Sequence, residues 1–197
     1  MNRLFVFVCA FLLNQSLWAF DEQDLAQQLA KIEVLRGEFV QEKFLRGLDA
    51  PLTSKGNFVL AKQQGLLWNL QAPLVRSYRI TATGIALRVA DQWQLQTKQD
   101  AANRQSRLFL AVLAGDQQGL KEDFSFALSG DMHDWQLVLS PKALLLQQIF
   151  TQIVIKGADY VHSIELHETQ GDRTLMRMEN VEQYRMLKAD EKQAFSS

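Results

Sequence analysis

The stretch GNFVLAKQQGLLWNLQAP, residues 56–73, decides the fold. Gly56 to Ala61 reads as a strand with Phe58 and Leu60 on one face. Gln63-Gln64-Gly65 turns the chain, and Leu66, Trp68 and Leu70 then share one face of a second strand that Pro73 interrupts. Two such runs joined by so short a connection pair antiparallel, because a parallel pair needs a longer crossover.

The same pattern extends outward. Upstream, Phe39 to Leu45 is strand-like and Asp49-Ala50-Pro51 is a turn. Downstream, Tyr78–Thr81 and Ile85–Val89 flank a hairpin turn at Thr83-Gly84, and Gln92 to Gln96 alternates. Further strands are expected at Phe124–Leu128, Trp135–Leu139, Phe150–Lys156, Tyr160–Glu168 and Thr174–Val181, with Ser140-Pro141 as a stop and Gly171-Asp172 as a turn. Helical pieces punctuate this series. The stripe Leu25, Leu29, Ile32 predicts a helix over Asp21–Leu35, with Asp21 and Glu22 placed to favour its N-terminus. Leu108, Phe109, Leu110, Val112 and Leu113, stopped by Gly115, predict a short helix. Lys142–Gln148 is a helical turn, and the tail from Tyr184 holds a short helix. The expected fold class is mainly β (α+β), an antiparallel sheet whose apolar face is covered by helices. Periodicity alone leaves open whether that interior is a solid core or a cavity.

The N-terminus reads as an export signal. Arg3 precedes an apolar run from Leu4 to Leu13, polar Asn14, Gln15 and Ser16 break it, and Leu17-Trp18-Ala19 ends in a small residue. The run is about half the length needed to span a bilayer. Cys9 lies inside it behind Phe7-Val8, without the small residues that precede an acylated cysteine. The expected domains are a signal peptide over 1–19 and one domain over 20–197. The exported chain then contains no cysteine, so disulfides and thiolate chemistry are excluded. Without Arg3, 20 basic residues face 22 acidic ones, a balance that argues against nucleic acid.

Motifs of catalysis are scarce. His162 and His167 are five apart, so a strand sends them to opposite faces. His167-Glu168 starts like a zinc-protease motif, but no histidine follows at the required spacing. No G-x-S-x-G elbow and no glycine-rich phosphate loop is present. No catalytic residue, metal ligand or cofactor is expected.

The order of these pieces resembles the periplasmic outer-membrane lipoprotein carrier family, LolA and its relatives. The resemblance runs from about Leu25 to Phe195. It rests on Phe39-x-Gln41-x-Lys43, Pro51-Leu52-x-Ser54-x-Gly56-x-Phe58, Gly65-Leu66-Leu67-Trp68 with Pro73, Ile80 and Gly84, and the Leu108–Gly115 segment. Trp135-x-Leu137-x-Leu139-x-Pro141, Phe150-x-x-Ile153-x-Ile155 and Ile164-x-Leu166 before Gly171-Asp172 complete it. It implies an unclosed barrel with helices as a lid over an apolar cavity that holds acyl chains during passage through the periplasm. By resemblance, Phe58, Leu60, Leu66, Trp68, Leu137 and Leu139 are the candidate cavity residues, and Leu108, Phe109 and Val112 belong to the lid. The family's lid-anchoring arginine falls on Lys62, which lacks the guanidinium fork. A further C-terminal strand of the family has no counterpart before Ser197. These departures suggest a paralogue, with an acylated lipoprotein, or a glycolipid or polyene lipid, as cargo. The implied partners are an inner-membrane exporter and an outer-membrane acceptor, met by a monomer.

Overall fold

Phe58 pairs with Trp68 and Leu60 with Leu66, so the hairpin expected over residues 56–73 stands in register. The computed structural model describes residues 20–96 and 117–196. The strands are β1 (Val34–Phe44), β2 (Leu52–Ala61), β3 (Gly65–Ala72), β4 (Arg76–Thr81), β5 (Gly84–Val89), β6 (Gln92–Leu95), β7 (Phe124–Asp131), β8 (Asp134–Pro141), β9 (Phe150–Gly157), β10 (Val161–Glu168) and β11 (Arg173–Tyr184). The described helices are α1 (Glu22–Leu29), α2 (Gln117–Asp123), α3 (Leu144–Gln147) and α4 (Ala189–Ser196).

All described strands form one antiparallel sheet in the order β6-β5-β4-β3-β2-β1-β11-β10-β9-β8-β7. Two meanders, β1–β6 and β7–β11, meet along the β1–β11 seam at the centre. Among the described residues β6 and β7 stand at the two ends of this order and do not pair with each other, so the barrel is not closed. Alternation gives the sheet two unlike faces. One carries Leu35, Phe39, Phe58, Leu60, Leu66, Trp68, Leu137, Leu139, Ile153, Ile155, Ile164, Leu166 and Met176 in a single apolar cluster. The other carries ion pairs such as Glu42–Arg177 and Arg173–Glu165, and a small apolar patch of Val34, Val59 and Leu67.

Eleven strands at about 4.8 Å spacing make an arc of about 50 Å, about 26 Å tall for an eight-residue strand. α1, eight residues long, extends about 12 Å. A flat sheet of that size would leave most of its apolar face wet. Curvature resolves this, because residues of both meanders join one cluster.

Two helical details depart from expectation. α1 stops at Leu29, not Leu35. Ile32 is buried as expected of the stripe, but Leu35, also buried, is already in β1, two residues from Gly37 and four from Phe39. α2 has no counterpart in the sequence reading, because Leu120 is the only large apolar residue among Gln117–Asp123. The expected signal peptide (1–19) and the lid residues Leu108, Phe109 and Val112 lie outside the described residues.

Candidate functional site

The apolar face is the natural place to look for a ligand. Phe58, Leu60, Leu66, Trp68, Leu137 and Leu139 are all buried and all belong to its one cluster, although they come from both meanders. Sequence alone could not say which way each strand faces; the shared register does. Fully burying such a side chain is worth about 1.5–3 kcal/mol, so the face is the fold's main stabiliser. Burial is not uniform: Leu70, Tyr78, Phe126, Leu128, Leu146 and Ile149 pack against the cluster but are only partly buried.

Glycines make room for the largest rings. The Phe39 ring stacks on Trp68 with centroids 3.7 Å apart. It does so across Gly56, where a Cβ would lie 2.8 Å from the ring and 2.0 Å from the Asn69 carbonyl oxygen. In the other meander Trp135 lies over Gly157 and donates from Nε1 to the Ala158 carbonyl at 2.7 Å.

α1 covers this face and is held from both sides. Asp21 caps it, accepting from the Gln23 and Asp24 amides, while Asp24 bonds back to the Asp21 amide in a capping box. Leu25 and Leu29 enter the cluster. Gln28 Nε2 donates to the Met132 and Ala158 carbonyls in the β7–β8 and β9–β10 turns, at 2.9 and 2.6 Å. Lys62, in the β2–β3 turn, donates to the Ala30 carbonyl at 2.6 Å and pairs with Glu33 at 3.3 Å. The residue matched to a lid anchor thus grips the C-terminal end of α1. Lys121 of α2 reaches Glu22 at 2.7 Å.

One end of the face is polar, which the sequence reading missed. Gln41 and Lys43 of β1 follow Phe39 at every second position. Ser54 of β2 stands opposite Gln41, and Thr174 of β11 opposite Lys43. Thr174 is 1% exposed, and its Oγ1 has no hydrogen-bond partner among the described residues. Such an orphaned hydroxyl costs about 1–3 kcal/mol. Lys43 pairs with Glu168 of β10 at 3.3 Å, across β11.

On the opposite face α4 packs over Val34, Val59 and Leu67 with Ala194 and Phe195. Arg36 Nε donates to Glu191 Oε1 at 2.6 Å and Arg36 Nη2 to Oε2, a two-pronged pair. Glu191 Oε2 also accepts the Lys188 amide at 2.7 Å, at the start of the helix. The Arg36 guanidinium holds the Glu191 carboxyl below its ordinary range, outweighing the opposing effect of burial. Arg79 Nη1 donates to the Ala194 carbonyl near the other end, at 2.9 Å.

Exposed large apolar residues gather along one rim. Leu48 lies in the β1–β2 turn, Leu52 at the start of β2, Leu74 and Val75 in the β3–β4 turn, and Leu144 and Leu145 on α3. His133 and His162 are exposed, and His167 stands 3.3 Å from Glu165. Among the described residues no three His, Cys, Asp or Glu side chains gather as a metal requires, and no helix is long and apolar enough to cross a membrane.

A LolA superfamily protein from Nitrosomonas europaea has a similar fold. It is 7% identical, the match covers 91% of this chain and 99% of that chain, and the TM-score is 0.50. A chain of the MucA/MucB complex of Pseudomonas aeruginosa is 14% identical over 85% of this chain, with a TM-score of 0.47; this chain spans 57% of its length. No curated protein matches. The model of the outer membrane lipoprotein carrier protein LolA-like family matches residues 15–186, and the chain belongs to that family.

Proposed function

We propose that this protein is a periplasmic carrier that shields the acyl chains of a lipoprotein or related lipid on its apolar face during transfer to the outer membrane. In this reading residues 1–19 direct export and are removed, and 20–197 form one carrier domain that performs no catalysis. Phe58, Leu60, Leu66, Trp68, Leu137 and Leu139 line the acyl site.

One observation carries the proposal: apolar side chains from both meanders converge on one face, whose outer members are only partly buried. Each methylene moved from water onto such a surface gains about 0.8 kcal/mol. A chain of sixteen carbons therefore binds firmly without a charged contact, and release needs only that the cover yield. α1 is suited to that role, since its eight residues are held by a few side-chain bonds at its ends.

Native mass spectrometry of protein purified from a periplasmic extract tests the reading, together with titration of a fluorescent acyl probe. Bound lipid and saturable probe uptake are expected, with uptake weakened at least tenfold by Leu60→Arg. Absence of both lipid and uptake in the wild type overturns it. N-terminal sequencing of the same sample tests cleavage near Ala19.

The apolar rim favours a second reading, an envelope interaction module without transport. It predicts a protein partner retained by the rim and no acyl uptake.

A further inference from the structure

We infer that the polar end of the apolar face is a head-group site for acyl chains linked as neutral esters or amides. The inference deepens the carrier reading and rests on it.

Gln41, Lys43, Ser54 and Thr174 share the apolar side of β1, β2 and β11. Neighbouring strands lie about 4.8 Å apart and same-face residues about 7 Å apart along a strand, so the four cover an area the size of a glycerol ester. Thr174 is the decisive group. Its hydroxyl is buried with no described partner, although buried polar groups are nearly always paired. A hydroxyl in that position needs an acceptor. The carbonyl oxygen of an ester or amide supplies one and brings no charge. The Gln41 amide and the Ser54 hydroxyl offer further donors beside it, for a second carbonyl or a glycerol oxygen.

Charge selects among heads. The Lys43 ammonium is matched by the Glu168 carboxylate at 3.3 Å, and the pair bridges β1 to β10 over the strand that carries Thr174. A fatty carboxylate or a phosphate would have to displace Glu168 or sit beside it, like charge against like charge. A neutral head leaves the pair intact. From this end the acyl chain follows Met176, Met178 and Phe39, all buried in the apolar cluster.

Displacement of a fluorescent hydrocarbon-tailed probe from the full exported chain tests the inference, using monopalmitoylglycerol and palmitate as competitors. Wild type is expected to bind the ester at least about tenfold more tightly than the carboxylate. Thr174→Val and Gln41→Met should each weaken the ester about 3–10-fold, the range of a single hydrogen bond, with probe uptake kept within twofold. Valine matches threonine in shape and removes an unpaired group, so the first variant folds. Unchanged ester affinity in both variants, or tighter binding of palmitate by wild type, overturns the inference. Failure of wild type to take up the probe instead removes the carrier reading beneath it.

Discussion

At the scale of single residues, space and polarity are set position by position. Gly56 is the sharpest steric case, because its missing Cβ is what lets Phe39 reach Trp68. Gly56→Ala forces a β carbon onto both a ring and a backbone oxygen. A loss of at least about 2–3 kcal/mol is expected, visible in urea unfolding and in a changed Trp fluorescence; a loss below 0.5 kcal/mol would show that the stack is not constrained there. Thr174 is the opposite case. Thr174→Val should raise stability by about 1 kcal/mol, since it removes an orphaned hydroxyl without changing shape. A melting temperature unchanged or lowered counts against that account. The two kinds of residue were unequally legible. Phe58, Leu60, Leu66 and Trp68 stand out because large apolar residues alternate with others on short strands. Gln41, Ser54 and Thr174 do not, because a polar residue on a strand is normally read as facing water. Only pairing to Met176 and Lys43 reveals that they face inward.

At the scale of elements, strands were easier to place than helix ends. The strand series follows from period-two alternation broken by Pro, Gly and Asp. α1 was read too long because Leu35 suits both the end of an apolar helix and the opening of a buried strand, and its pairing to Leu60 of β2 decides in favour of the strand. The clamp on α4 was not legible at all, since Arg36 and Glu191 are distant in sequence. It yields a pH prediction. The Glu191 carboxyl titrates below its unfolded value, so its contribution is complete above that value and is lost as pH falls through the lower folded one. Glu191→Gln should cost about 1.5–3 kcal/mol at pH 7 and flatten the acid limb of the stability curve. An acid limb identical to wild type would mean other carboxylates govern it. α1 offers a companion test. Gln28→Ala removes two bonds to the turns of the second meander, and faster amide exchange at Leu25 and Leu29, by about tenfold, is expected without a matching change in β1. Equal protection in the variant would show that the Leu25 and Leu29 contacts alone hold the helix.

At the scale of the molecule, one sheet presents an apolar face to α1 and, on its other side, ion pairs and a small apolar patch under α4, and the family assignment agrees with that layout. The sequence showed the number and order of strands because nine of the ten pairings join consecutive strands. The tenth, β1 with β11, is between residues near opposite ends of the chain, and nothing local announces it. That seam has a kinetic consequence. Hairpins close quickly, but joining β1 to β11 means closing the loop between Phe44 and Arg173, about two thirds of the chain, whose entropy must be met before its contacts contribute. The centre of the finished sheet is therefore the last part to assemble. In stopped-flow experiments, Leu128→Ala in the β7–β8 hairpin should slow folding more than Met176→Ala at the seam, which should act mainly by speeding unfolding, for equal losses of stability. Until that step is complete, a folding chain is two separate meanders with their apolar faces open to the solvent, and it is in this interval that aggregation competes with folding.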